Sequence, residues 1–341
     1  MNIRENVPIS ELTTMRLGGP ARFVIEIENV DEAHDAFDFA AEKGLPIYFL
    51  GLGANSLGLD KGFDGALILN RIKGIKPLKE SENELIVKAC GGEIWDDFVE
   101  YVVNKGFSGV EAMSKIPGTV GAAPVQNIGA YGQEAKDTLE SVEVYDSLLG
   151  EYKEIKGEDC DFGYRHSIFN SGKDKGRYFI LTATFHFTKR QLEQPFYNSL
   201  QGYLDAHNIT DYSPKSIREA VSAIRADKLP DPATTASAGS FFKNILLDEK
   251  DAKLAEKKGV PMRKTPDGKY KVNTGWLLED AGLKGKTFHG FTVSDKAALI
   301  LINESAKSYA DLEKAVAEIQ KAVKDKFGLT IEPEPVRIEA V

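Results

Sequence analysis

Cysteine is nearly absent, with two residues, Cys90 and Cys160, in a chain of 341. They lie far apart with no CxxC, which excludes a cysteine-built zinc site and suits a reducing cytoplasm. Histidine is also sparse: His34, His166, His186, His207 and His289 form no HExxH or other close pair, so no metal site is expected. No run approaches the ~20 apolar residues of a membrane span. The opening Met1-Asn2-Ile3-Arg4-Glu5-Asn6 lacks the basic-then-apolar layout of a secretory signal. Lys+Arg number 43 against 52 Asp+Glu, net charge −9, and no basic block stands out, which excludes a nucleic-acid surface. Gly285-Lys286-Thr287 imitates the end of a phosphate-binding P-loop, but Asp280 stands where its first glycine belongs. Gly51-Leu52-Gly53-Ala54-Asn55-Ser56 places Ser56 where a dinucleotide fingerprint needs its third glycine. No GxSxG surrounds Ser240 or Ser167, so a hydrolase elbow is excluded.

Hydrophobic residues at 42% and charged residues at 28% are those of a globular protein. At roughly 150 residues per domain, the length suits two or three domains. Asp31 reads as the cap of a helix with Ala33, Phe37, Ala40 and Ala41 on one face, ended by Gly44. Strands are expected at 46–50, 66–70, 84–90, 139–146 and 177–188. In the last of these, Phe179, Leu181, Ala183, Phe185 and Phe187 alternate as on a half-buried strand. Ile94, Phe98, Val102 and Val103 mark a helix before Gly106. Ser216-Ile217-Arg218-Glu219 has the form of a capping box, and a long helix is expected from Ser308 to Phe327. The segment 331–338 contains two prolines and belongs at an edge or near a site. The fold class is α+β.

Three segments carry chemistry. In the stretch from Ile116 to Gly132, the residues Pro117, Gly118, Gly121 and Pro124 forbid a regular helix or central strand. Such a run leaves backbone N–H groups free to converge on a phosphate, with Gln126 and Asn127 able to read a heterocycle edge. The alternative is an ordinary surface loop. Gly51 to Ser56 follows a strand and reads as a second loop of this kind or as a plain turn. Two such loops in adjacent domains would suit the two phosphates of a dinucleotide. Ala238-Gly239-Ser240-Phe241-Phe242-Lys243-Asn244 is either a turn presenting a hydroxyl to a pocket or a strand end with two core phenylalanines.

Taken together, these segments resemble the UDP-N-acetylenolpyruvoylglucosamine reductase family, the flavoenzymes of peptidoglycan precursor synthesis. The motifs run in the family's order over nearly the whole chain: Thr13–Ala21, Leu50–Asn55, Ile116–Gly132, Gly163–Phe169, Lys228–Pro232, Gly239–Asn244, Asn273–Leu277 and Glu332–Arg337. The segment near Tyr197 resembles the version that carries a tyrosine loop over the substrate. Three departures stand out. Ala54 and the pair Ala122-Ala123 replace family serines, leaving more of the phosphate binding to backbone N–H groups, and Pro335 separates Glu334 from Val336. The last leaves Glu334 or Glu332 as the functional acid, with Glu334 favoured.

The resemblance implies a two-domain FAD-binding unit of the PCMH (vanillyl-alcohol-oxidase-like) type, residues 1–72 plus 328–341 and 73–212, with a smaller α+β substrate domain over 213–327. It implies non-covalent FAD, NADPH as co-substrate, a UDP-sugar substrate and a cytoplasmic monomer. Flavin contacts would come from Gly51, Gly53, Ala54, Asn55 and Ser56 in the first loop, and from Gly118, Thr119, Gly121, Ala122, Gln126, Asn127, Gly129 and Tyr131 in the second, with Arg337 also facing the flavin. Arg165 and Glu334 would stabilise charge on the carboxylate side of the substrate, and Ser240 would donate the proton to carbon. Lys228, Tyr197 and Asn244 would hold the UDP-sugar, and Trp276 would be core. Two other readings compete: an oxygen-using oxidase on the same flavin fold, needing neither Ser240 nor Glu334, and a non-catalytic UDP-sugar or flavin-binding regulator.

Overall fold

The computed structural model describes residues 1–340. The first unit is a four-stranded sheet in the order 2–8, 20–27, 63–70, 47–50, with the first pair antiparallel and the other two parallel. Helix α1, Asp31–Glu42, lies on one face. Its buried stripe is Ala33, Ala36, Phe37 and Ala40, packed with Phe23, Ile25, Ile27, Ala66 and Ile68. Ala41 is exposed, and Asp31 is the first helical residue, Val30 being the cap.

Five antiparallel strands form the second unit, in the order 151–156, 139–146, 178–188, 84–90, 75–80. Helix α2, Trp95–Asn104, covers one face, with the Phe98 ring 4.9 Å from that of Phe185. The central strand corrects the expectation of a half-buried alternation. It is buried along almost its whole length, and a bulge interrupts it: Glu143 pairs with Thr182 but Val144 with Ile180. One extra residue reverses the side-chain parity. Tyr178, Ile180, Ala183, Phe185 and Phe187 therefore share the core under α2, while Phe179 and Leu181 join the core of α1. Phe37 stacks on Tyr145 at 4.4 Å, so one apolar cluster joins the two sheets.

Helices α3 (Asn198–Ala206) and α4 (Pro214–Lys228) come next. Ser213, followed by Pro214, caps α4 and accepts from Ser216 N, so the capping box expected at Ser216 lies inside the helix. The third unit was expected from residue 213, yet α4 packs with α3 over Ala112. Arg218 also donates to Asp96 at 2.6 Å, which places α4 on the second unit.

The remaining core gathers α5 (Glu249–Glu256), α6 (Thr274–Asp280) and α7 (Tyr309–Phe327) around small antiparallel sheets. Ser308 caps α7, whose Leu312, Ala315, Ile319, Val323 and Phe327 are buried. Trp276, expected in the core, is partly buried and packs against this core beside Phe327 at 5.8 Å. The Thr13–Ala21 motif fastens the units together. Met15 and Leu17 enter this third core, Arg16 donates to the Pro232 and Ala233 carbonyls, and Thr14 N donates to Gly53 O. Among the described residues, no helix is long and apolar enough to cross a membrane.

Candidate active site

A cavity of about 420 Å³ opens between the first two units, within the size range of small-molecule sites. Phe49, Leu50 and Gly51 line it from one side, and Thr119, Gly121, Ala122, Val125 and Gln126 from the other. Phe169, Phe179 and Ile180 give it an apolar wall. The two glycine loops touch: a Cβ on Gly51 would lie 3.2 Å from Thr119 Oγ1, and Asn55 Nδ2 donates to Gln126 Oε1 at 2.8 Å. Gly121 presses on the Gly91 backbone, where a Cβ would come within 3.0 Å. Gly53 has φ +65°, and a Cβ there would meet Leu12 O at 2.1 Å. Among the described residues, no backbone hydrogen bond is donated by the amides of Leu52, Gly53, Ala54 or Asn55. A loop of free N–H groups beside an apolar slot fits a flat heterocycle bearing phosphates, and it does so without the hydroxyl that Ala54 lacks.

At the cavity edge the geometry brings together residues from remote parts of the chain. Arg165 Nε donates to Glu334 Oε1 at 2.8 Å, with the side chains 19% and 10% exposed. Its other nitrogens donate to the Gly129 and Asn127 carbonyls at 3.2 and 3.5 Å. The left-handed backbone of Arg165, φ +54°, turns the side chain toward the cavity. Glu334 is fixed by its own amide, which donates to Phe241 O. Glu332 is exposed, with its carbonyl accepting from Lys243 N, so Glu334 is the carboxylate of this site. Ser240 is exposed at the end of the strand Ser237–Ser240, immediately before the Phe241 that holds Glu334.

Sequence reasoning assigned no role to several residues here. Lys243, inside a quoted motif, lines the cavity. Lys271 places Nζ 4.4 Å from the centre of the Tyr164 ring, and the Arg165 guanidinium lies 5.4 Å from the same ring. Burial, then the nearby Arg165 charge, lowers the pKa of Lys271, and burial raises that of the Tyr164 phenol. No sequence signal singled out Lys271; the structure places it on the short strand Tyr270–Val272, paired with Ile245–Leu247, which follows Asn244.

A second group collects at the end of α4. The Tyr131 ring sits 5.9 Å from that of Tyr197, edge to face. Arg225, one turn before the exposed Lys228, has a buried Nε without a hydrogen-bond partner among the described residues. Burial lowers the Arg225 pKa and raises that of Tyr131. The i, i+3 spacing from Lys228 was the signal that could have found Arg225.

Other expected residues fall elsewhere. Arg337 does not face the cavity; it approaches Glu313 at 3.5 Å and lies over Tyr309. Val336 lines the cavity, and on a strand the next side chain points the opposite way. Tyr131 belongs to the α4 group, outside the cavity lining. The Asn127 side chain, fully buried, is spent inside the protein on Glu134, Gly163 and Lys136, so it reads no heterocycle edge. Gly118 is not among the residues lining the cavity, and its carbonyl accepts from Trp95 N. Ser56 pairs with Val336. Asn244 Oδ1 accepts from the Thr274 amide at the start of α6, leaving only its amide nitrogen free of that cap.

Comparison with known proteins agrees with this arrangement. The model of an FAD binding domain matches residues 21–156, and that of the UDP-N-acetylenolpyruvoylglucosamine reductase C-terminal domain matches residues 231–338. The UDP-N-acetylenolpyruvoylglucosamine reductase of Ralstonia nicotianae is 39% identical over 97% of this chain and 98% of its own. That of Neisseria gonorrhoeae is 36% identical over 98% and 96%. The crystal structure of the Thermus caldophilus reductase superposes with a TM-score of 0.65, at 22% identity, covering 99% of this chain and all of that one, which shows a shared fold. With relatives this similar along nearly their whole lengths, the chain belongs to the UDP-N-acetylenolpyruvoylglucosamine reductase family.

Proposed function

We infer that this protein reduces UDP-N-acetylglucosamine enolpyruvate to UDP-N-acetylmuramate with NADPH, a step of peptidoglycan precursor synthesis. The observation that carries the reading is the Arg165–Glu334 pair, assembled across the chain at the edge of the cavity. Bound FAD would supply the hydride chemistry, taking hydride from NADPH and giving it to the vinyl carbon of the substrate. The Gly51–Asn55 and Thr119–Gln126 loops would hold it by backbone N–H groups and an apolar wall. The chain's own task lies at the neighbouring carbon, where negative charge develops beside the carboxylate. Arg165, with Lys271 nearby, meets that charge in a partly buried site, where a cation is worth more than in water. Glu334 holds Arg165 in place and shares the enol proton. Ser240 donates the proton to carbon; a hydroxyl is a weak acid, but a carbanionic carbon is a strong base.

Tyr131, Tyr197, Arg225 and Lys228 suit the diphosphate and sugar of the substrate: two cations for phosphate, two phenols for hydroxyls and ring faces. The packing of α4 argues for a substrate domain that begins after Lys228, with residues 1–72 plus the tail and 73–228 forming the FAD unit. Two unpaired cysteines support a reducing compartment, and we assign the protein to the cytoplasm as a monomer.

The test is optical. The purified protein should be yellow, bleach with NADPH under anaerobic conditions, and regain colour on addition of the enolpyruvyl substrate. Colour regained only with oxygen would instead support the oxidase reading, and a failure of NADPH to bleach it would support the regulator.

A further inference from the structure

Asn127 has a left-handed backbone, φ +45°, a conformation that asparagine tolerates better than other non-glycine residues. Its amide nitrogen donates to Glu134 Oε2 at 3.0 Å and to Gly163 O at 3.1 Å, and its Oδ1 accepts from Lys136 N at 3.0 Å. One fully buried side chain thus ties two parts of the chain. The first is the loop 127–136, which it closes on Lys136 N and the Glu134 carboxylate, and which carries the Asn127 and Gly129 carbonyls that receive the Arg165 guanidinium. The second is the turn at Gly163, two residues before Arg165 itself. Arg165 also needs an unfavourable left-handed backbone, which persists only where the surroundings enforce it.

We propose that Asn127 is a positioning residue that aims Arg165 at Glu334 and at the substrate, acting on the substrate-reducing step and not on flavin binding. The proposal rests on the reading of Arg165 given above. Its mechanism is geometric: the side chain sets both the cradle of the guanidinium and the backbone from which the guanidinium extends. Misplacement of a reacting group by about 1 Å costs on the order of a hundredfold.

The experiment uses the FAD-loaded full chain and rapid mixing to time flavin bleaching by NADPH and colour return with substrate separately. Asn127→Gly keeps the backbone conformation accessible and removes the grip. FAD content and bleaching should match the parent, while colour return slows on the order of ten- to a hundredfold. In an Arg165→Lys background the same change should cost little further, because residues acting through one contact are not additive. Asn127→Asp, which keeps the size and loses the amide donor, runs in parallel and should show the same split should the glycine variant not fold. Equal slowing of both steps, loss of FAD, or fully additive losses in the double variant would each overturn the proposal. A slow Arg165→Lys beside a normal Asn127→Gly defeats this inference alone. A normal Arg165→Lys defeats the reading of Arg165 and takes the inference with it.

Discussion

The flavin cavity and the charged pair at its edge are built on opposite principles. The cavity is shaped mainly by backbone: glycines press loop on loop, and the amides from Leu52 to Asn55 donate no backbone hydrogen bond among the described residues. The pair is built by side chains, Arg165 and Glu334, joined at 2.8 Å across 169 residues of sequence. A backbone site should tolerate Ala54 and Ala122-Ala123, since none of its contacts would depend on a hydroxyl. A side-chain site tolerates much less, since each group has one chemical task. If so, damage at the charged edge should stop one step, and damage in the loops should loosen the cofactor.

The largest effect is expected from Ser240→Ala. Loss of a positioned acid costs on the order of a hundred- to ten-thousand-fold. The variant should keep FAD and bleach normally with NADPH, yet lose most of the colour return with substrate. Ser240→Cys should recover part of it, because a thiol still donates. Rapid-mixing absorbance of each half-reaction checks this; equal slowing of both halves would show that Ser240 shapes the cleft and is not the proton donor.

Next comes the joint between α2 and α4, on which the α4 group of Tyr131, Arg225 and Lys228 rests. Burial pushes the Asp96 carboxyl up, but hydrogen bonds from Arg218 and Lys115 outweigh it and hold the pKa at about 2. Breaking such a buried pair by removing one partner costs about 3–5 kcal/mol, so Arg218→Ala should lower the denaturation midpoint substantially at neutral pH. The folded pKa is depressed, so the pair's contribution is complete above the unfolded value near 4 and fades as pH falls toward 2. The gap between parent and variant should therefore narrow on acidification through that window. A gap that stays constant from pH 7 to 2 would mean that packing, not charge, is what Arg218 provides.

How far the two regions were legible in the sequence follows from the same contrast. Helix α7 was readable because Leu312, Ile319 and Val323 recur at helical spacing behind Ser308. The glycine loops were readable because backbone freedom leaves glycine in the sequence. The bulge in the strand Tyr178–Thr188 left no mark, since an inserted residue looks like any other until its partner strand is known. Arg337 failed for a related reason: Val336 faces the cavity, and strand parity sends its neighbour outward. Arg165 and Glu334, which the structure brings into contact, were named only as members of ordered motifs, because no local pattern announces a contact between residues so remote; Ser240 was named in the same way and does not line the cavity. Arg225 and Lys271 lay outside those motifs and were missed. The strands 2–8 and 20–27 were missed as well, being paired mainly with each other and with the strand 63–70.

A smaller effect should separate glycine from hydroxyl in the first loop. Gly53→Ala forces a left-handed alanine, costing about 1–2 kcal/mol, and drives its Cβ onto Leu12 O. FAD affinity, followed by fluorescence titration of the stripped protein, should fall about tenfold or more. Ala54→Ser adds one hydrogen-bonding group and should tighten FAD by no more than the ~0.5–1.5 kcal/mol of a single bond. A serine effect exceeding the glycine effect would show that the cavity depends on side chains after all.

The smallest effect is expected at the two cysteines, which belong to neither construction. Cys160 is buried, its thiol donating to Lys156 O at 3.3 Å, and burial, with Asp159 adding, pushes its pKa up to about 12. Cys90 is half-buried, and burial, then the Glu93 charge, raises its pKa as well. At neutral pH both are therefore thiols, and the reactive form of cysteine is the thiolate. Neither lines the cavity, and both serve as small packing residues. Replacing the two together by alanine should leave FAD content intact and turnover within a few-fold of the parent, with a modest loss of stability from the vacated volume at Cys160. Turnover and flavin spectra of the double variant check this. A folded, FAD-loaded double variant that had lost its activity would mean that a thiol takes part in the chemistry, and that a third element belongs beside backbone loops and the charged pair.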